Sequence, residues 1–170
     1  EWVKEPEGYV NPTPLPSGRI PGQLKSGNAA FYYITANPAA ISNLDVSNVM
    51  DFWYCFGLSD TFNTPIGNWD VSNVTQTAFM FQEATAFNQD ISSWDTSSML
   101  ALLGMFQGAS AFNQDISNWD MSNVLLMNQM FQEASAFNQD ISGWDTSKVE
   151  DMKEMFRDAS VFNQDISSWD

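Results

Sequence analysis

Along residues 116–137 the apolar positions change their spacing partway. Ile116, Trp119 and Met121 lead, with Asp120 turned the other way between the last two, and this alternation predicts a short strand over Ile116 to Met121. Beyond it Val124, Met127, Met130, Phe131 and Ala134 recur at spacings of three, three, one and three, which predicts an amphipathic helix with Ser122 at its N-cap. One unit later, Ser147 and Glu150 have the Ser-x-x-Glu spacing of a capping box. A polar Asn-Gln-Asp run and Gly143 then break the pattern and return the chain to the next extended segment.

The pattern returns every 25 residues: Trp69, Trp94, Trp119, Trp144 and Trp169 mark it, and Leu44 holds the same slot one period earlier. Phe-Asn-Gln-Asp-Ile-Ser-x-Trp-Asp opens at Phe87, Phe112 and Phe137, and again at Phe162. A unit this short cannot bury its own apolar face and must stack on a neighbour. The sequence therefore predicts an α/β repeat solenoid, a leucine-rich-repeat-like, right-handed stack of strand-turn-helix coils. Parallel strands stack about 4.8 Å apart while packed helices need about 8–10 Å, so the stack is expected to bend, with a parallel sheet on the concave side. Its expected core is Trp69, Trp94, Trp119 and Trp144 with Phe81, Phe106, Phe131 and Phe156, columns suited to offset aromatic stacking. Residues 1–22, with Pro6, Pro12, Pro14, Pro16 and Pro21, read as a Pro-rich linker or arm. Residues 23–43 read as a degenerate N-terminal cap repeat, and 44–170 as five 25-residue repeats plus the start of a sixth.

The motif Phe-Asn-Gln-x-Ile-x-x-Trp-Asp-x-Ser-x-Val-x-x-Met-x-x-Met-Phe-x-x-Ala resembles the 25-residue repeat of BspA-like leucine-rich-repeat surface proteins, a type also found in mycoplasma surface lipoproteins. The resemblance spans Leu44 to Asp170. The first unit departs from it, with Leu44 for Trp, Cys55 for Met and Thr64-Pro65 for Gln-Asp. The resemblance implies a secreted or cell-surface, non-catalytic protein, often adhesive.

Charge narrows the partners. Against 21 acidic residues stand 6 basic ones, for a net charge of -15, and no Lys or Arg falls between Ser26 and Ser147. Nucleic acid and anionic membrane need a basic surface and are poor partners. No apolar run approaches the roughly 20 residues of a membrane span. The lone Cys55 forms no intrachain disulfide and shares the column of Met80, Met105, Met130 and Met155, which marks it as buried filler. There is no His, and no Ser or Cys lies beside an evident base, which excludes nucleophilic triads and His-based zinc sites. Paired carboxylates recur in every unit, as architecture does and active sites do not, so the chain reads as no enzyme.

The Asp after each Trp forms the column Asp45, Asp70, Asp95, Asp120, Asp145 and Asp170. Stacked carboxylates about 5 Å apart repel by roughly 0.8 kcal/mol in water and about 3 kcal/mol at an effective dielectric of 20, so they must be solvated, hydrogen-bonded or bridged. The leading reading is Asx-type bonding to turn N–H groups. The alternative is calcium, the one cofactor the sequence leaves open, bridging Asp70, Asp95, Asp120 and Asp145 with help from the second column Asp90, Asp115, Asp140 and Asp165. The Asn column, Asn63, Asn88, Asn113, Asn138 and Asn163, reads as an amide ladder tying off loop backbone. Outward positions that vary, among them Thr75, Leu100, Leu125 and Leu126, are the candidate contacts, with the leucines forming an apolar patch. The expected function is an extracellular or cell-surface module that binds proteins or glycans. The alternative is a structural subunit that stacks head to tail through uncapped ends into an extracellular filament, with Trp169 and Asp170 at one end and Phe31, Tyr32 and Tyr33 at the other.

Overall fold

The computed structural model of the chain describes residues 41–169. The Pro-rich arm 1–22, residues 23–40 of the expected cap, and with them Phe31, Tyr32 and Tyr33, as well as Asp170, lie outside the described residues.

In the copy that starts at Trp119, backbone N–H groups alternate between two kinds of partner. Those of Val124, Met130, Gln132, Ala134 and Phe137 donate to the carbonyl three residues earlier at 2.9–3.3 Å. Those of Met127, Gln129, Phe131 and Glu133 leave the copy and donate to Asp151, Lys153, Met155 and Arg157 of the next one at 2.8–2.9 Å. The chain is thus a succession of three-residue turns, each hydrogen-bonded across to its neighbour. The apolar spacing of three is the span of these turns, since residues that bracket them, Met127 and Met130 or Phe131 and Ala134, are both buried.

Two residues per copy are left-handed. Gln129 and Glu133 have φ of 59° and 60°, and Tyr54 and Leu58, Phe79 and Glu83, Gly104 and Gly108, and Glu154 and Asp158 repeat the pair at φ between 56° and 68°. An α-helix keeps φ near −63° and bonds each N–H four residues back, so no helix passes through these points.

The α/β solenoid of strand-turn-helix coils is therefore overturned. Among the described residues helical backbone is confined to Ile41 and Ser42. Parallel pairing is limited to single bridges joining Asp51, Gln76, Ala101, Leu126 and Asp151 in turn. These bridges lie inside the expected helix, while Ile116 to Met121 forms no strand. With no sheet and no helix row among the described residues, they do not form the strand and helix sides of a leucine-rich-repeat horseshoe.

Ring spacing explains the outcome. The column Phe56, Phe81, Phe106, Phe131, Phe156 runs through the expected helix with centroids 5.5–5.7 Å apart from copy to copy. In the column packed against it, Phe62, Phe87, Phe112, Phe137 and Phe162 step at 5.7–6.0 Å. Helices about 10–12 Å across with their side chains cannot stack at that distance, whereas turns that donate sideways to the next copy can. Within each copy the two phenyl rings lie face to face at 3.8–4.0 Å, as in Phe131 on Phe137.

Trp69, Trp94, Trp119 and Trp144 are 3–4% exposed, and Phe81, Phe106 and Phe131 are fully buried. Phe156, in the last copy, is partly buried. Each indole Nε1–H donates to an Ile carbonyl in the preceding copy: Trp69 to Ile41, Trp94 to Ile66, Trp119 to Ile91, Trp144 to Ile116 and Trp169 to Ile141, at 3.1–3.3 Å. Indole thus fills the core and adds a second hydrogen bond to a carbonyl that already accepts a backbone N–H, which Phe could not do.

The left-handed positions carry a cost of roughly 1–2 kcal/mol for each residue with a Cβ. Leu58 is the cleanest place to measure it, being 52% exposed with φ 59°. Leu58→Gly is expected to raise stability by about 0.5–1 kcal/mol in urea unfolding, the relieved strain exceeding glycine's larger unfolded entropy. A loss of stability would contradict the positive φ.

Candidate functional site

Two rows of exposed aspartates run along the stack, and both are built from the same three residues. Asp45, Asp70, Asp95, Asp120 and Asp145 each accept, at Oδ1, the backbone N–H of the Ser two residues later, at 2.9–3.2 Å. The hydroxyls of Ser47, Ser72, Ser97 and Ser147 donate to the same oxygen at 2.6–2.7 Å. Asp90, Asp115, Asp140 and Asp165 repeat the arrangement with the N–H of Ser92, Ser117, Ser142 and Ser167 at 2.9–3.0 Å. These are Asx turns, so each serine read from the sequence as a helix cap instead completes the turn of the aspartate before it. Asp-x-Ser recurs in the first row from Asp45 and in the second from Asp90, the first unit having Pro65 in the second row's place.

The local bonds outweigh the repulsion between copies. The Ser72 hydroxyl and then its N–H hold Asp70 below the usual carboxylate range, against a smaller upward push from burial and from Asp45. The Ser122 hydroxyl and N–H do the same for Asp120, opposed by burial and Asp145. For Asp115 the Ser117 N–H leads, then its hydroxyl, while burial, Asp140 and Asp90 push up. Asp45, Asp90, Asp140, Asp145 and Asp165 are lowered by their serines in the same way.

A pH dependence follows. A carboxylate whose folded value lies below its unfolded one contributes stability that is present above the unfolded value and lost as pH falls through the folded one. Melting temperature is therefore expected to drop as pH is lowered through 3.8, the ordinary value of these groups, and on below it. If repulsion along the rows dominated, acidification would raise it instead.

Among the described residues no three acidic, Cys or His side chains converge on a point where a metal could sit. Asp70, Asp95, Asp120 and Asp145 lie in one row, each with one oxygen held by its serine, and are not brought together as a chelating cluster.

The amide ladder is continuous. Asn63 Oδ1 accepts the N–H of Asn88 at 2.9 Å, Asn88 that of Asn113, Asn113 that of Asn138, and Asn138 that of Asn163, each at 3.0 Å. Each of these oxygens also accepts from the Nε2 of the Gln one copy on, Gln89, Gln114, Gln139 and Gln164, at 2.8–3.0 Å. Glutamine's share in the ladder was not visible in the sequence, although Asn-Gln recurs at every step.

Cys55 is buried, and burial first, then the nearby Asp51 carboxylate, pushes its thiol well above the ordinary range, leaving it unreactive. No helix among the described residues is long and apolar enough to cross a membrane. The outward positions behave differently from the core columns: Met50, Leu100 and Leu126 are 47%, 39% and 37% exposed.

No curated protein and no solved structure matches the chain. The family described as Mycoplasma protein of unknown function, DUF285, matches residues 25–124 and 90–170. Since the two spans together run from residue 25 to residue 170, the chain belongs to the DUF285 family.

Proposed function

We propose that the chain is a non-catalytic binding module of an extracellular or cell-surface protein, similar in its motif to BspA-like surface proteins, that engages proteins or glycans across several copies. The observation that carries this reading is the pair of exposed aspartate rows, whose carboxylates are held in one orientation by the same serine bonds from copy to copy. A repeated array of pre-oriented acceptors favours an extended partner with donors at matching intervals, and fixed side chains lose little entropy on binding. Carboxylates engaged identically in every copy have no distinguishing environment of the kind that tunes a general acid against a general base.

The test has two parts. Antibody raised against the chain should label intact source cells, and labelling only after lysis would contradict a surface role. A glycan array and a panel of basic proteins should yield saturable binding with Kd below about 100 µM, weakened by Asp95→Asn, Asp120→Asn and Asp145→Asn combined. Absence of saturable binding across both panels would sink the module reading.

Assembly through stacked copies is a second reading, favoured by the last copy. Met152, Phe156, Phe162, Ile166 and Trp169 are only partly buried, whereas their counterparts one copy earlier, Met127, Phe131, Phe137, Ile141 and Trp144, are 0–4% exposed. One further copy, from the same chain or another molecule, would cover that face. Light scattering decides: growth of particle mass with concentration supports stacking between molecules, and a constant monomer mass contradicts it.

A further inference from the structure

We propose that the open face of the last copy docks one repeat unit of a partner protein, a segment with this chain's own 25-residue pattern that offers backbone carbonyls at alternate residues. The face is that of the stacking reading above, on which this rests; what changes is the occupant.

Four backbone N–H groups of each copy reach across to the next. Those of Phe52, Tyr54, Phe56 and Leu58 donate to the carbonyls of Gln76, Ala78, Met80 and Gln82, and the same four positions donate onward, copy by copy, as far as Met127, Gln129, Phe131 and Glu133, all at 2.7–3.2 Å. In the last copy the corresponding groups belong to Met152, Glu154, Phe156 and Asp158, and among the described residues they have no acceptor. Every carbonyl from Asp151 to Arg157 is already taken, alternately by the preceding copy and by a turn N–H from within the last copy. Over this stretch the edge therefore offers donors alone, and an incoming chain must supply the acceptors.

That requirement selects the occupant. Two molecules meeting through this same face would set N–H against N–H and bury donors without acceptors, so a two-fold dimer is opposed. Head-to-tail stacking of this chain would need an open first copy. There Ile41, Val49, Phe52, Phe56 and Phe62 are 0–7% exposed, although their counterparts Ile166, Val149, Met152, Phe156 and Phe162 in the last copy are only partly buried. A second molecule thus finds no apolar face to cover at that end. A repeat unit on another protein meets both demands. The stretches 76–82, 101–107, 126–132 and 151–157 each supply the four acceptors, and each brings a Phe ring to 5.5–5.7 Å from its counterpart in the copy before. One interface, formed four times within the chain, shows the chemistry that closes such a face.

Amide hydrogen exchange followed by NMR on the full chain tests this, with a peptide of the sequence of residues 120–144 as the probe. It carries the carbonyls of Leu126, Asn128, Met130 and Gln132, which within the chain accept from the copy before. Without peptide, the amides of Met152, Glu154, Phe156 and Asp158 should exchange at least about 10-fold faster than those of Met127, Gln129, Phe131 and Glu133. Saturating peptide should slow them at least about 10-fold, a scrambled peptide of the same composition should not, and a peptide with Phe131→Lys, which keeps the carbonyls but loses the ring, should do so less. No slowing, or equal slowing by the scrambled peptide, would overturn the proposal. Slowing that appears without peptide, as chain concentration and particle mass rise together, would make a second molecule the occupant, which overturns the proposal and supports the stacking reading. Peptide-specific slowing in a chain of constant monomer mass does the reverse.

Discussion

Trp119→Ala is expected to destabilise the chain by about 3–5 kcal/mol, as for large-to-small changes at other buried aromatics. The ring is 3% exposed, stacks on Trp94 at 6.2 Å with an interplanar angle of 7°, and lies 6.2 Å from Phe106. Removing it opens a cavity in the middle of the stack and takes the indole donor at 3.1 Å from the Ile91 carbonyl, which keeps the Trp94 N–H at 3.2 Å. Each copy is held by its immediate neighbours, so loss at this point is also expected to broaden the unfolding transition as the two halves uncouple. Trp169→Ala, at a partly buried ring in the last copy, should cost less than half as much. Urea unfolding followed by circular dichroism measures both; a cost below about 1 kcal/mol at Trp119 would mean that the column does not carry the core.

Asn113→Leu should be nearly as damaging for a different reason, at about 1–3 kcal/mol, because it removes an acceptor rather than volume. Asn113 Oδ1 takes the Asn138 N–H at 3.0 Å and Gln139 Nε2 at 2.9 Å; Gln139 Nε2 also donates to the Asn113 carbonyl at 2.9 Å, so the Asn138 N–H is the donor that loses its acceptor. Asn113→Asp has the same shape and keeps the oxygen, so it should stay within about 0.5 kcal/mol of the parent at neutral pH. If the leucine and aspartate variants lose stability equally, the side chain matters for its amide N–H groups or its packing and the ladder account fails.

The 25-residue period, the buried Trp and Phe columns and the Asx turns were all legible in the sequence, because each follows from side-chain chemistry recurring at one position. The backbone between Val124 and Ala134 was not. Apolar residues three apart fit one face of a helix and fit consecutive turns equally well, and periodicity alone does not separate the two. The deciding feature is the left-handed pair in each copy. Glycine announces it only at Gly104 and Gly108, whereas Gln129, Glu133, Phe79 and Leu58 adopt the same φ without any such signal. Step height was the physical clue available in advance. Phenyl rings repeating through the segment at every unit demand a spacing near that of aromatic stacking, and a row of helices cannot meet it.

The most direct test of that backbone is solution NMR of Val124 to Ala134. The stacked-turn account predicts positive φ at Gln129 and Glu133, amide protons of Gln129 and Phe131 protected by bonds to Lys153 and Met155, and ring-to-ring contacts from Phe106 to Phe131 to Phe156. Uniformly negative φ near −63° through the segment, with each amide protected by the carbonyl four residues earlier, would contradict it.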